Sequence, residues 1–98
     1  MEKIHKVASE IGEANENVLK IILFGSLAER RGVPGSDADI LIILKTDDKP
    51  FMNRIPEWSE RFSIDFPVEI FPYTEKELNK NNPIVQEAVK RGITLFER

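Results

Sequence analysis

The sequence predicts an α+β fold in which a small mixed β-sheet is flanked by helices. Segments with helical apolar spacing alternate with short apolar runs, as in a chain that packs helices on a sheet. The residues that join the first two predicted strands, 26–36, are too few for the usual crossover between parallel strands, which favours a mixed sheet over an all-parallel one. The α/β class is the nearest alternative. We expect the 98 residues to form one domain, 1–98.

The N-terminal half is predicted to form a helix, a strand, a short helix with a loop, and a second strand. Residues 2–17 carry apolar side chains on one helical face. Residues 18–24 are apolar except for Lys20, which is typical of a buried strand. The run 39–44 is apolar on both faces once Asp39 is passed, which predicts a central strand that is covered on both sides.

The C-terminal half is predicted to continue with helices and short strands. The first predicted element is a helix over 51–62, with Pro56 in its first turn and Ile55, Trp58 and Phe62 on its apolar face. A strand over 68–71 follows, and then a helix over 74–80 in which Thr74 and Glu77 form a capping box. The last two elements are a helix over 83–91 that ends at Gly92 and an edge strand over 93–96.

Composition excludes several classes of site and partner. The chain has no cysteine, and His5 is its only histidine, so disulfides, thiolate zinc sites and histidine dyads are excluded. The net charge of −3 speaks against polymeric nucleic acid as a partner, because phosphate neutralisation needs a basic surface. No apolar run reaches the ~18 residues of a membrane span. We therefore expect a cytoplasmic protein with no membrane association.

The most informative segment joins Phe24-Gly25-Ser26 to Asp37-Ala38-Asp39-Ile40 across ten residues. Residues at i and i+2 of a strand share a face, so Asp37 and Asp39 are predicted to hold their carboxylates side by side. Gly25 allows a ligand to approach the main chain, and Ser26 begins a short helix whose free N–H groups suit a phosphate. Acids do not bind phosphate by themselves, so the pattern indicates a cation between the acids and a nucleotide. A solvated Asp loop after an ordinary Gly-Ser turn is the alternative.

A third carboxylate, Glu69, lies in the otherwise apolar segment 68–71. If this strand lies beside residues 39–44, Glu69 can face the two aspartates. Three carboxylates provide the hard oxygen ligands that Mg²⁺ and Mn²⁺ prefer. The alternatives are that Glu69 is an exposed position of an edge strand, or that Asp65 supplies the third ligand.

These motifs resemble the nucleotidyltransferase superfamily related to DNA polymerase beta, and specifically its minimal nucleotidyltransferase (MNT) branch. The resemblance covers most of residues 18–96. It implies metal-dependent transfer of a nucleoside monophosphate, AMP from ATP, to an acceptor hydroxyl with release of pyrophosphate. The site residues that it implies are Asp37, Asp39 and Glu69 as catalytic ligands of Mg²⁺ or Mn²⁺, and Gly25, Ser26 and Arg30 as the nucleotide-binding group.

The sequence departs from the family pattern at two positions. Glu29 stands where members often carry arginine, with Arg30 and Arg31 directly after it, and the third acid is Glu69 rather than the more usual aspartate. The resemblance further implies an antitoxin-like role with a small helical HEPN-type protein (higher eukaryotes and prokaryotes nucleotide-binding) as partner. A homodimer, or a non-catalytic subunit that binds only nucleotide or a partner, is the alternative.

Overall fold

The computed structural model describes residues 2–25, 38–62, 64 and 67–98. Within these ranges the chain forms three α-helices, four strands and one turn of 3₁₀-helix. In chain order these are α1 (Glu2–Ala14), β1 (Val18–Phe24), β2 (Ala38–Leu44), α2 (Phe51–Arg61), β3 (Val68–Thr74), the 3₁₀ turn (Glu75–Glu77), α3 (Pro83–Arg91) and β4 (Ile93–Glu97).

The four strands form a mixed sheet in the order β3-β2-β1-β4. β1 pairs antiparallel with both β2 and β4, whereas β2 and β3 are parallel. A parallel pair needs a crossover connection, and α2 supplies it between β2 and β3. The predicted α+β fold with a small mixed sheet and flanking helices is therefore confirmed.

Both faces of the sheet are covered by apolar side chains. On the first face, α1 and α2 contribute Ile4, Ala8 and Trp58 to the larger core cluster. On the second face, Ala88 of α3 packs with side chains from β1 and β2, among them Leu41. Successive residues of β2 alternate between these two clusters, as the pleat requires. The prediction that β2 is a central strand covered on both sides is confirmed.

The prediction that Pro56 lies in the first turn of its helix is wrong. α2 begins at Phe51, immediately after Pro50, so Pro56 is its sixth residue. The early start is stabilised by the side chain of Arg54, whose Nε donates to the carbonyl of Lys49 at 2.8 Å. Pro56 is exposed, so its ring lies on the solvent side of the helix, and its missing N–H costs the helix one hydrogen bond.

The predicted helix over 74–80 is also wrong in extent, because only the 3₁₀ turn forms there. The predicted capping box is present: the Thr74 side chain accepts from the backbone N–H of Glu77, and the N–H of Thr74 donates to Glu77 Oε1 at 2.8 Å. Beyond it, the side chain of Asn79 accepts from the N–H of Asn81, and that of Asn82 accepts from the N–H at the start of α3. Such local side-chain bonds compete with helix continuation.

Two other bounds differ from prediction. α1 ends at Ala14 rather than at residue 17. Directly after the helix, the side chain of Asn15 accepts a hydrogen bond from the N–H of Asn17 and so forms a turn. β3 runs on to Thr74 rather than ending at residue 71, and it includes Pro72. Proline is compatible with this strand because β3 is at the edge of the sheet, where one side of the backbone makes no ladder bonds.

Arg54 is the buried charge that ties α2 to the end of β3. Only 2% of this residue is exposed. Its guanidinium donates to both carboxylate oxygens of Glu77, at 2.6 and 3.0 Å, and to the carbonyl of Pro72 at 3.0 Å. The hydrogen bonds from Arg54, followed by the one from the N–H of Thr74, lower the pKa of Glu77 to about 2.

This lowered pKa predicts acid-sensitive stability. Glu77 titrates near 4.3 when unfolded, so its contribution is complete above that pH and is lost as the pH falls through about 2. We expect Glu77→Gln to cost about 1 kcal/mol of unfolding free energy at pH 7, a small value because 40% of this side chain is exposed. Urea unfolding at pH 7, 4 and 3 checks this. The matched control is Glu75→Gln, in the same turn, and equal pH dependence in both variants would contradict the assignment.

Candidate active site

The register of β2 and β3 places Asp39 directly beside Glu69. The two residues are partners in the parallel pair, and adjacent strands lie about 4.8 Å apart. Both belong to the second face of the sheet, because the residues two positions on, Leu41 and Phe71, pack in the second-face cluster. The predicted arrangement of β3 beside β2, with Glu69 on the same face as Asp39, is therefore present.

Gly25 brings the end of β1 against the carboxylate of Asp39. Phe24, the last residue of β1, is the register partner of Asp39, and Gly25 follows it with a φ of +80°. A Cβ added to Gly25 would lie 2.1 Å from Asp39 Oδ2. Glycine is required twice here, because other residues disfavour this backbone conformation and because no side-chain atom fits beside the carboxylate.

Several predicted site residues lie outside the described part of the chain. These are Ser26, Arg30 and Asp37, together with Glu29, Arg31 and the alternative ligand Asp65. The predicted short helix over residues 26–36 also lies there. Their roles stay predictions.

The described carboxylates suit a hard divalent cation. Asp39 is half-buried at the start of an apolar strand, and Glu69 is exposed beside it. Two carboxylates on one face match Mg²⁺ or Mn²⁺, which take oxygen ligands and keep waters or substrate phosphates in their other positions. Among residues 2–25, 38–62, 64 and 67–98, no three His, Cys, Asp or Glu side chains form a metal-holding group. A third protein ligand would have to come from outside these ranges, as predicted for Asp37.

Two aromatic rings adjoin the carboxylates and were missed by the sequence analysis. Phe24 and Phe71 have ring centroids 5.7 Å apart and planes tilted by 49°. Phe24 is the register partner of Asp39, and Phe71 lies two residues beyond Glu69 on the same face. The i+2 spacing from Glu69 was the signal that could have placed Phe71 here. The pair forms an apolar wall on one side of the acids.

Residues 2–98 match the family model described as "Polymerase beta, Nucleotidyltransferase". The chain therefore belongs to the polymerase beta nucleotidyltransferase family, which confirms the resemblance found in the sequence. No curated protein sequence matches it significantly. No helix in the described part of the chain has the length and apolar character needed to span a bilayer.

Similar solved structures show the same fold. A protein from Sulfolobus solfataricus, described as a nucleotidyltransferase, has 22% identity and a TM-score of 0.68, over 99% of this chain and 79% of its own. A toxin–antitoxin structure with AMP-PNP has 19% identity and a TM-score of 0.60, over 99% and 73%. The Shewanella oneidensis complex of a tri-AMPylated HEPN toxin with MNT antitoxin has 16% identity and a TM-score of 0.57, over 98% of this chain and 71% of the matched chain.

Proposed function

We propose that this protein is a metal-dependent nucleotidyltransferase that moves AMP from ATP to a hydroxyl group on a partner polypeptide. The observation that carries the proposal is the placement of Asp39 and Glu69 on one face of adjacent strands, with the Gly25 turn against the Asp39 carboxylate. Membership of a nucleotidyltransferase family supports the reaction class.

In this proposal the acids bind the metal ion and the turn binds the nucleotide. Asp37, Asp39 and Glu69 hold Mg²⁺ or Mn²⁺, while Gly25 and the Ser26 and Arg30 side chains hold the triphosphate. The divalent ion supplies positive charge against the triphosphate and the attacking oxygen. The acceptor hydroxyl forms a bond to the α-phosphorus and loses its proton to solvent. The bond from the α-phosphorus to the bridging oxygen breaks, and pyrophosphate leaves with that electron pair.

The acceptor is proposed to arrive on another polypeptide. The similar Shewanella oneidensis structure, in which an MNT antitoxin accompanies an AMPylated HEPN toxin, supports a small helical HEPN-type partner and an antitoxin-like role. A second copy of this chain is the alternative means of closing the cleft.

We expect ATP to bind tightly only together with Mg²⁺ or Mn²⁺. Adjacent carboxylates repel each other and also repel a triphosphate, and a divalent cation relieves both repulsions. Calorimetric titration of the protein with ATP should show at least ~10-fold weaker binding in excess chelator than in Mg²⁺, a difference of about 1.4 kcal/mol. Ca²⁺ in place of Mg²⁺ tests whether any divalent charge suffices. Equal ATP affinity with and without the cation would contradict the metal-bridged site.

Transfer itself is tested with ATP labelled on the α-phosphate. The protein and Mg²⁺ are incubated with the product of a neighbouring gene for a small helical protein, or with a cell extract. Label on a partner polypeptide supports the enzyme. A tight complex with a partner that never acquires label would instead favour the alternative function, a subunit that binds a partner without catalysis.

A further inference from the structure

The strand order separates the two sides of the candidate site. Asp39 lies on β2, which has β1 on one side and β3 on the other. The Gly25 turn, proposed to hold phosphates, follows β1, whereas Glu69 lies on β3. If the nucleotide occupies the β1 side, the acceptor hydroxyl has to approach from the β3 side, which is an edge of the sheet.

A groove lies at this edge, between β3 and α2. Its volume is about 220 Å³. The residues that line it come from the first half of β3 and from one face of α2, and they are Ile55, Ser59, Val68, Glu69, Ile70 and Phe71. Glu69 belongs both to this groove and to the acid pair, so the groove and the candidate active site share this residue.

The outward side of the β3 backbone is already occupied at its C-terminal end. The carbonyl of Pro67 accepts a hydrogen bond from the N–H of Ala38 in β2. Every second residue from Pro67 onward therefore directs its backbone N–H and C=O groups towards β2. The intervening residues face outward. Of these, Pro72 accepts from Arg54, and Thr74 donates to the side chain of Glu77.

As far as the described residues show, the outward side is unpaired next to Glu69. By the same alternation Val68 and Ile70 direct their N–H and C=O groups away from β2. No hydrogen bond within the described ranges reaches these outward groups. Such a row of donors and acceptors is the feature that an extended chain pairs with when it adds to a sheet edge.

We infer that this groove receives an extended segment of the acceptor polypeptide, which pairs with Val68 and Ile70 as an added strand. The inference rests on the proposed function and specifies how its acceptor is held. In an extended segment alternate side chains point to opposite faces. The residue with the acceptor hydroxyl lies on the Glu69 face, and its two neighbours lie on the α2 face against Ile55 and Ser59. The segment therefore has the pattern apolar–hydroxyl–apolar.

Binding can be measured without nucleotide or metal. The probe is a nine-residue peptide with a central hydroxyl residue (serine, threonine or tyrosine in separate peptides) flanked by valines, and the comparison peptide has aspartates in place of the valines. In ¹⁵N-labelled protein, the valine peptide should shift the amide signals of Val68 and Ile70. Thr94 in β4, at the opposite edge, should not shift, and the aspartate peptide should bind at least ~10-fold more weakly.

Variants on α2 test the groove itself. Ser59→Arg fills the groove and should weaken peptide binding at least ~10-fold. Met52→Arg adds the same charge at an exposed position of the same helix, so it should bind the peptide as the unmodified protein does. Calorimetric binding of Mg²⁺–ATP should be unchanged in both variants. Thermal unfolding of each variant confirms that it is folded.

The outcomes separate this inference from the proposed function. If the peptides acquire label and Ser59→Arg does not reduce that transfer, the groove is not the acceptor site, while the transferase is supported. Valine peptides that bind at Val68 and Ile70 without acquiring label would support the groove and count against the transferase. Absence of peptide binding at millimolar concentration would overturn the groove, as would edge signals that shift only with protein concentration, because a second copy would then occupy it.

Discussion

We expect Asp39→Asn to reduce AMP transfer at least ~10³-fold while the protein remains folded. The substitution preserves the shape of the side chain but removes the charge that a divalent ion needs, and charge stabilisation of this kind is worth several kcal/mol in a transition state. Asp39 lies at the point where the Gly25 turn, β2 and Glu69 meet, so no other described acid can replace it. The measurement is the initial rate of label transfer from ATP to the partner in Mg²⁺.

The matched control is Asp48→Asn, which neutralises an exposed aspartate in the turn after β2. It should transfer label at the unmodified rate. Glu69→Gln should also impair transfer by orders of magnitude, because it removes a second proposed ligand. Circular dichroism and complex formation with the partner show that each variant is folded. An Asp39→Asn protein that retains more than about a tenth of the activity would contradict a metal site at this carboxylate.

We expect Gly25→Ala to impair both transfer and stability. The φ of +80° costs a non-glycine residue about 1–2 kcal/mol, and the new Cβ would overlap Asp39 Oδ2. The carboxylate has to move to relieve this overlap, and displacement of a catalytic group by about 1 Å can cost ~10²-fold in rate. Transfer should therefore fall by about two orders of magnitude, and urea unfolding should show a loss of about 2 kcal/mol.

A double-mutant cycle separates the two causes of this loss. In an Asp39→Ala background the carboxylate is absent, so Gly25→Ala should cost only the backbone term of about 1–2 kcal/mol. The stability losses of the two substitutions should therefore be less than additive. Strict additivity would show that the contact between residue 25 and the Asp39 carboxylate plays no part, and the effect would then belong to the backbone alone.

The fold class followed from local patterns in the sequence. Helical spacing in residues 2–17 and the continuous apolar run 39–44 predicted α1 and a central β2, and both are present because each pattern matches a surface that has to be buried. The mixed sheet followed from the short connection between the first two strands. Errors arose where side-chain hydrogen bonds, both local and between distant segments, set the ends of a helix. Glu77 meets Arg54 rather than continuing a helix, and Arg54 holds the turn before α2 so that Pro56 falls inside the helix.

The sequence by itself determined which residues could form the site, through chemistry and spacing: a glycine at the end of a strand, acids two residues apart, and a carboxylate inside an apolar strand. Only the tertiary structure decided that Glu69 lies beside Asp39. That contact joins residues 30 positions apart through the parallel register of β2 and β3, and a shift of one residue would have turned Glu69 to the opposite face. The register is determined by the packing of two apolar faces and the crossover through α2, which no local segment encodes.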